Sequence, residues 1–308
     1  MLRSFRFGVT CDRPVSASQW RDTARQAEAL GYDVLLMPDH FVGQMATLPA
    51  LAFAAAHTTT LRVGSLVCNN DFRHPLLLAK EAATLDLLSA GRFELGLGAG
   101  WLKSEYDAIQ LPFDPPAVRV TRLAEAIQML KAYFQGEPMY AGDFYRMNSQ
   151  AGLDHLPRPV QQPQPPLLIG AGGRRMLTLA ARQADIVSLA VKVKADGSGP
   201  DPADLAVTPA EKAAWVRHAA GERAANIKFH IQTWAVAVTT DRQAAAEAVA
   251  AQLGVPAPFL LDTPYVMLGT VNEIAAQLAR YREQFGLTYI SVFARDMAAI
   301  APVIAQLR

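Results

Sequence analysis

The segment FRHPLLLAKEAATLDLLSAGRFELGLGAGWLKSEY, Phe72–Tyr106, holds a helix, a tight turn, a buried strand and a glycine-laced strand end in direct succession. Pro75 suits the first helical position, where no backbone N–H is needed. Leu76, Ala79, Ala83 and Leu87 recur at three-to-four spacing and predict the core face of a helix. Ser89-Ala90-Gly91 ends it, with Gly91 free to take the left-handed conformation beyond the last turn. Phe93, Leu95 and Leu97 then make a short apolar segment, as expected of a strand in a closed parallel sheet. That strand runs out in Gly96-Leu97-Gly98-Ala99-Gly100, where glycines at alternate positions leave the backbone open to close approach by a ligand.

The same alternation extends in both directions. Upstream, residues 5–9 read as a first strand, 18–30 as a helix closed by Gly31, 33–37 as a second strand, 48–57 as a helix and 61–68 as a third strand. Downstream, a long helix over 119–134 ends at Gly136, and a proline-rich connection leads to a strand at 167–170. A helix over 173–182 and a strand at 185–189 follow, then the polar stretch KVKADGSGPDPADLAVTP, read as an insertion. A helix over 209–225, a strand at 229–238 and a helix over 242–253 come next. The segment VPAPFLLDTPYVML receives no assignment, and a helix over 271–285, a strand at 289–293 and a final helix complete the chain.

Strands alternating with helices imply parallel pairing and right-handed crossovers. Eight such units in 308 residues fit an α/β (β/α)8 TIM barrel. A doubly wound sheet would carry a glycine fingerprint after its first strand, and TCDRPVSASQW has none. The expectation is one domain over residues 1–308, with an insertion at about 190–208 after the sixth strand.

Composition narrows the function classes. Hydrophobic residues make up 51% of the chain and charged ones 19%, enough apolar surface for a large core. A net charge of +1 gives no electrostatic footprint for nucleic acid or an anionic membrane. Cys11 and Cys68 read as reduced thiols, so a cytoplasmic location is expected. No apolar run approaches the ~20 residues of a membrane span, and MLRSFRFGVTCDR is not a signal peptide.

In a barrel of this type the active site forms at the C-terminal ends of the strands. The second strand ends in Met37-Pro38-Asp39-His40-Phe41, setting a carboxylate beside an imidazole able to move a proton near neutral pH. The same pair could equally cap the next segment. The third ends in Leu66-Val67-Cys68-Asn69-Asn70-Asp71, rich in short polar side chains suited to tight turns. The fourth ends in Gly100 and Trp101, and the spacing of its glycines is not that of a dinucleotide fingerprint. The fifth ends in Gly170-Ala171-Gly172-Gly173-Arg174-Arg175, where glycine N–H groups at a helix start and two arginines suit an anion such as phosphate. His57, His155, His218 and His230 do not gather with other ligands at metal spacing, so no metal site is expected.

The run RHPLLLAKEAATLDLLSAGRFELGLGAGWLKSEYDAIQLPF resembles the signature of the bacterial luciferase-like family of flavin- and deazaflavin-dependent oxidoreductases. MPDHF, VGSLVCNNDFRHP, LIGAGGRRMLTLAARQADIVSL and GTVNEIAAQLARYREQFGLTYISVF resemble further family segments in the family's order. The resemblance implies a (β/α)8 barrel whose insertion lids the mouth, a homodimer, and a small-molecule substrate. It implies hydride transfer with coenzyme F420, with FMN-dependent monooxygenation or non-catalytic flavin binding as alternatives. The cofactor ring would lie over the third strand's exit, contacted by Asp39, Leu66, Val67, Cys68, Asn69, Gly100 and Trp101. A non-proline cis peptide is implied there, at Leu66–Val67 or Val67–Cys68. Gly172, Gly173 and Arg175 would hold the phosphate, and His40 with Asp39 would handle the proton. One departure stands out: sugar-phosphate dehydrogenases of the deazaflavin branch carry a catalytic Glu where this chain has Trp101, which implies a more apolar substrate pocket.

Overall fold

The computed structural model describes residues 3–13, 15–41, 43–148, 156–194, 196 and 200–308, so His155 and part of the expected insertion lie outside the described residues. Eight parallel strands form the centre: β1 Arg6–Thr10, β2 Val34–Met37, β3 Arg62–Ser65, β4 Phe93–Gly98, β5 Leu167–Ala171, β6 Ile186–Leu189, β7 Lys228–Gln232 and β8 Leu287–Phe293. They pair in the order β3-β2-β1-β8-β7-β6-β5-β4, and Val63 and Gly64 of β3 pair with Phe93 and Glu94 of β4 to close the ring. Strands such as VLLM and FELGLG are buried on both faces, which is why they read as unbroken runs rather than alternating ones. The surrounding helices are α1 Ala17–Ala29, α2 Thr47–Ala56, α3 Pro75–Leu88, α4 Pro116–Gln135, α5 Arg174–Gln183, α6 Pro209–Ala220, α7 Val271–Phe285 and α8 Met297–Leu307. Reciprocal caps by Ser16 with Gln19, Thr208 with Glu211 and Thr270 with Glu273 start α1, α6 and α7.

The barrel interior is layered by chemistry. At its N-terminal end the buried Glu94 carboxylate accepts from Arg6 at 2.5 Å and from Arg62 at 2.6 Å. Burial alone would raise the Glu94 carboxyl, and the two guanidiniums outweigh it and hold it below the usual range. Above this lies an apolar layer of Val34, Leu36, Leu168, Ile186 and Tyr289, which touches Leu66 and Val67 near the mouth.

Four differences from the sequence reading have physical causes. The third strand breaks at Leu66–Val67 and resumes as Cys68–Asn69, which pairs with Leu97 and Gly98. The expected seventh strand is two: after β7 the chain turns at Thr233 and Trp234, and Ala235–Val238 leaves the barrel to pair with Val266–Gly269. That partner lies in the segment left unassigned, and Trp234 stacking on Tyr265 at 4.8 Å marks the departure. A helix Lys103–Ala108 and a hairpin of Met139–Ala141 with Arg146–Asn148 lie between β4 and β5. On α3 the core face is carried by Leu78, Ala79, Ala82, Ala83, Leu85 and Asp86, while Leu87 is exposed. The helix is apolar almost all round, so periodicity alone could not set its rotation.

Beyond β6, the short helix Pro202–Leu205 is fastened by a buried ion pair. The fully buried Lys212 of α6 donates to Asp204 Oδ2 at 2.6 Å and to Ala190 O at 2.7 Å, and Lys192 N donates to the same Asp204 oxygen at 2.7 Å. Desolvation pulls the Lys212 pKa down against the pull of Asp204. Asp204→Ala would leave the ammonium uncompensated and is expected to cost about 3–5 kcal/mol. Chemical denaturation checks this, and the double variant Asp204→Leu with Lys212→Met should recover most of the loss.

Candidate active site

The mouth takes its shape from the break in β3. The Leu66–Val67 peptide is cis, and both side chains are half-buried. Neighbouring glycines make room for it. A Cβ on Gly96 would stand 1.9 Å from the Ser65 carbonyl oxygen, and one on Gly98 would stand 2.7 Å from a Val67 methyl. Ser65 Oγ accepts from Gly96 N at 2.8 Å and donates to Gly96 O at 2.9 Å, riveting the two strands there. Gly100 has a φ of +72°, and its missing Cβ would meet the Tyr106 hydroxyl at 1.9 Å. The glycine-rich strand end therefore accommodates this chain's own backbone and side chains.

Asp39 is fully engaged. Arg73 donates to both its oxygens at 2.6 and 3.1 Å, Asn69 N donates at 3.0 Å, and Thr47 Oγ1 lies 3.2 Å away. The pair raises the Arg73 pKa although burial opposes its charge. This carboxylate thus ties the exit of β2 to the exit of β3. Within that exit the Cys68 side chain is buried and burial pushes its thiol up to about 12, while Asn69 Oδ1 accepts from Asp71 N at 3.0 Å.

His40 lies on the other side of the β2 exit. Its Nδ1 sits 2.9 and 3.0 Å from the oxygens of Glu105, which is 3% exposed on the helix Lys103–Ala108. Phe41 N donates to Glu105 Oε1 at 2.8 Å. The carboxylate can only accept, so Nδ1 carries a proton and Nε2 is the ring nitrogen left to exchange one. The imidazole is 23% exposed, and Trp101 meets it edge-on with centroids 5.7 Å apart. Glu105 had no role in the sequence reading. Its signal was its place four residues beyond Trp101, one helical turn from the strand exit.

At the end of β5, Gly173 caps α5 with no side-chain hydrogen bond, so the first N–H groups of this ten-residue helix have no side-chain cap. Arg175 donates to Thr121 Oγ1 on α4 at 2.9 Å, and Arg174 lies over the Trp215 ring of α6 at 4.3 Å. Lys192 supplies a further cation: Cβ atoms on Gly172 and Gly173 would stand 3.0 Å from its Cγ and 2.7 Å from its Cε. Uncapped N–H groups and a lysine whose stem lies against Gly172 and Gly173 make a donor set that fits a phosphate. Among the described residues no group of His, Cys, Asp and Glu could hold a metal ion, and no helix is long and apolar enough to cross a membrane.

The sequence model of the luciferase-like monooxygenases matches residues 1–300. An F420-dependent glucose-6-phosphate dehydrogenase of Kineococcus radiotolerans is 30% identical over 173 residues, 53% of this chain and 50% of that protein. An FMNH2-dependent dimethylsulfone monooxygenase of Pseudomonas putida is 35% identical over 112 residues, 36% of this chain and 30% of that protein. The chain thus spans half or less of the length of these curated relatives. The coenzyme F420-dependent tetrahydromethanopterin reductase of Methanopyrus kandleri superposes with a TM-score of 0.77 at 18% identity, covering 99% of this chain and 100% of the other. That likeness shows the barrel fold.

Proposed function

We propose that this chain, which belongs to the luciferase-like monooxygenase family, is an oxidoreductase that moves a hydride between coenzyme F420 and a small organic substrate. When bound, coenzyme F420 would supply a two-electron hydride carrier. The observation that carries the reading is the His40 imidazole at the barrel mouth, its Nδ1 held by buried Glu105. Hydride transfer to or from a carbonyl carbon needs a matching proton at oxygen, and His40 Nε2 is free to give or take it. Glu105 fixes the tautomer and offsets the imidazolium charge when Nε2 is protonated. Leu66 and Val67 would offer the ring an apolar surface, and Asp39 ties the strand exits on either side of it together through Arg73 and Asn69. The N–H groups after Gly172 and Gly173, with Lys192 and Arg175, would hold the phosphate. Trp101 would flank the substrate.

The alternative is an FMN-dependent monooxygenase, supported by the Pseudomonas putida relative. Titration of the purified protein with coenzyme F420 and with FMN separates the two, followed by a panel of alcohols, aldehydes and enones monitored at the coenzyme absorption band. Saturable binding of coenzyme F420 with substrate-dependent loss or gain of its absorbance is expected. Uptake of FMN alone would favour the monooxygenase, and uptake without turnover on any substrate a binding protein.

A further inference from the structure

A chain of buried polar side chains rises through the barrel to the mouth, apart from His40, Asp39 and the helix start after Gly173. His230 of β7 is fully buried, with Nδ1 2.9 Å from Ser188 Oγ and Nε2 2.9 Å from Ser291 Oγ. Burial, reinforced by Arg6, lowers its pKa to about 3, so the ring is neutral at working pH. Two residues on, Gln232 ends β7 on the same interior face. Its Oε1 lies 2.6 Å from Thr10 Oγ1 and 2.6 Å from Ser291 Oγ, and its Nε2 lies 2.9 Å from Thr233 O.

The directions of these bonds follow from one atom. The Thr233 carbonyl can only accept, so the amide nitrogen must face it and the amide oxygen must face the hydroxyls. Both hydroxyls then donate to Oε1. Ser291 Oγ, having given its proton, accepts from His230, which places that ring's proton on Nε2. Nδ1 in turn accepts from Ser188 Oγ. Every member is satisfied, and the amide has one polar valence left: its second N–H, which has no protein acceptor among the described residues. Gln232 is half-buried at the mouth rather than sealed below it.

We infer that Gln232 is a specificity-determining residue that presents one fixed N–H donor to a carbonyl-type acceptor on the bound ligand. Its oxygen is already saturated, so a ligand hydroxyl or amine aimed at the same place would find no acceptor. This rests on the oxidoreductase reading, and either the coenzyme ring or the substrate could bring the carbonyl. A side chain that could turn its amide would not discriminate; the hydroxyls, Thr233 O and the neutral His230 beneath deny it that freedom.

The test compares Gln232→Met, similar in volume without a donor, and Gln232→Glu, similar in shape with acceptor oxygens. Fluorescence titration with coenzyme F420 and with FMN reads one arm, and KM for a carbonyl substrate reads the other. Loss of the N–H is expected to weaken one of them about tenfold in Gln232→Met with kcat little changed, and Gln232→Glu is expected to weaken it further. A raised Kd assigns the carbonyl to the coenzyme, and a raised KM at unchanged Kd assigns it to the substrate. Thermal unfolding confirms that each variant is folded; should Gln232→Met fail to fold, Gln232→Glu carries the same comparison. Wild-type binding with both Kd and KM unchanged in the folded variants overturns this inference alone. A wild type that binds neither coenzyme overturns the functional reading and this one with it.

Discussion

Replacing His40 by Ala is expected to lower turnover about 10²–10⁴-fold while coenzyme affinity stays within a few-fold of wild type. The imidazole packs beside Trp101 and is held from behind by Glu105. Its removal takes away the group proposed to give or take the proton, and leaves untouched the surface made by Leu66 and Val67 and the helix start after Gly173. Glu105→Gln asks a finer question. Phe41 N would hold the amide oxygen at the Oε1 position, which lies 2.9 Å from His40 Nδ1, so the ring can still donate there while the carboxylate charge behind it is gone. An imidazolium at His40 would then lack the counter-charge that Glu105 supplies. Single-turnover rates over a pH series distinguish the two variants: His40→Ala should be slow and flat, whereas Glu105→Gln should be slow with a displaced pH limb. Unchanged turnover in His40→Ala would remove His40 from the chemistry.

The barrel was legible because its strands are short, apolar and regularly spaced between amphipathic helices, and that period is a local property of the chain. Features that depend on two distant segments meeting were not. The glycines of β4 were visible as an unusual run, yet their reasons lie thirty-one positions away, in the Ser65 carbonyl for Gly96 and a Val67 methyl for Gly98. Glu105 stood in plain view in the same stretch, but only packing of its helix against the β2 exit turns it into the partner of His40. Asp39 was picked out for its chemistry, and the structure shows it occupied by Arg73, which sequence spacing could not pair with it. Lys192 reached the helix start after Gly173 from within a stretch read only as polar insertion. The strand at 229–238 was overextended because Thr233 and Trp234 fit a strand by propensity, whereas the turn they make is set by contacts with Ser291 and Tyr265.

Gly96→Ala is expected to destabilise the protein by on the order of 4 kcal/mol or more, enough to abolish soluble folded material in a marginal background. The added methyl would lie 1.9 Å from Ser65 O and 2.9 Å from Ser65 C, both backbone atoms. Neither neighbour can give way cheaply. The Ser65 hydroxyl bonds to both the N–H and the carbonyl of Gly96, so pushing the strands apart breaks that pair of bonds in the buried wall of the barrel. The displacement would also propagate to Leu66 and Val67, the surface proposed to carry the coenzyme ring. Gly170→Ala is the matched control. It faces the same segment from β5, but its Cβ would sit 3.5 Å from the two Val67 methyls, an ordinary contact, and a cost within about 1 kcal/mol is expected. Denaturant midpoints with near-ultraviolet circular dichroism compare the two. If both variants unfold together near the wild-type midpoint, the break in β3 is softer than its packing indicates. If Gly96→Ala alone collapses, the glycine run that opens the fold to reading is the clamp that shapes the mouth of its active site.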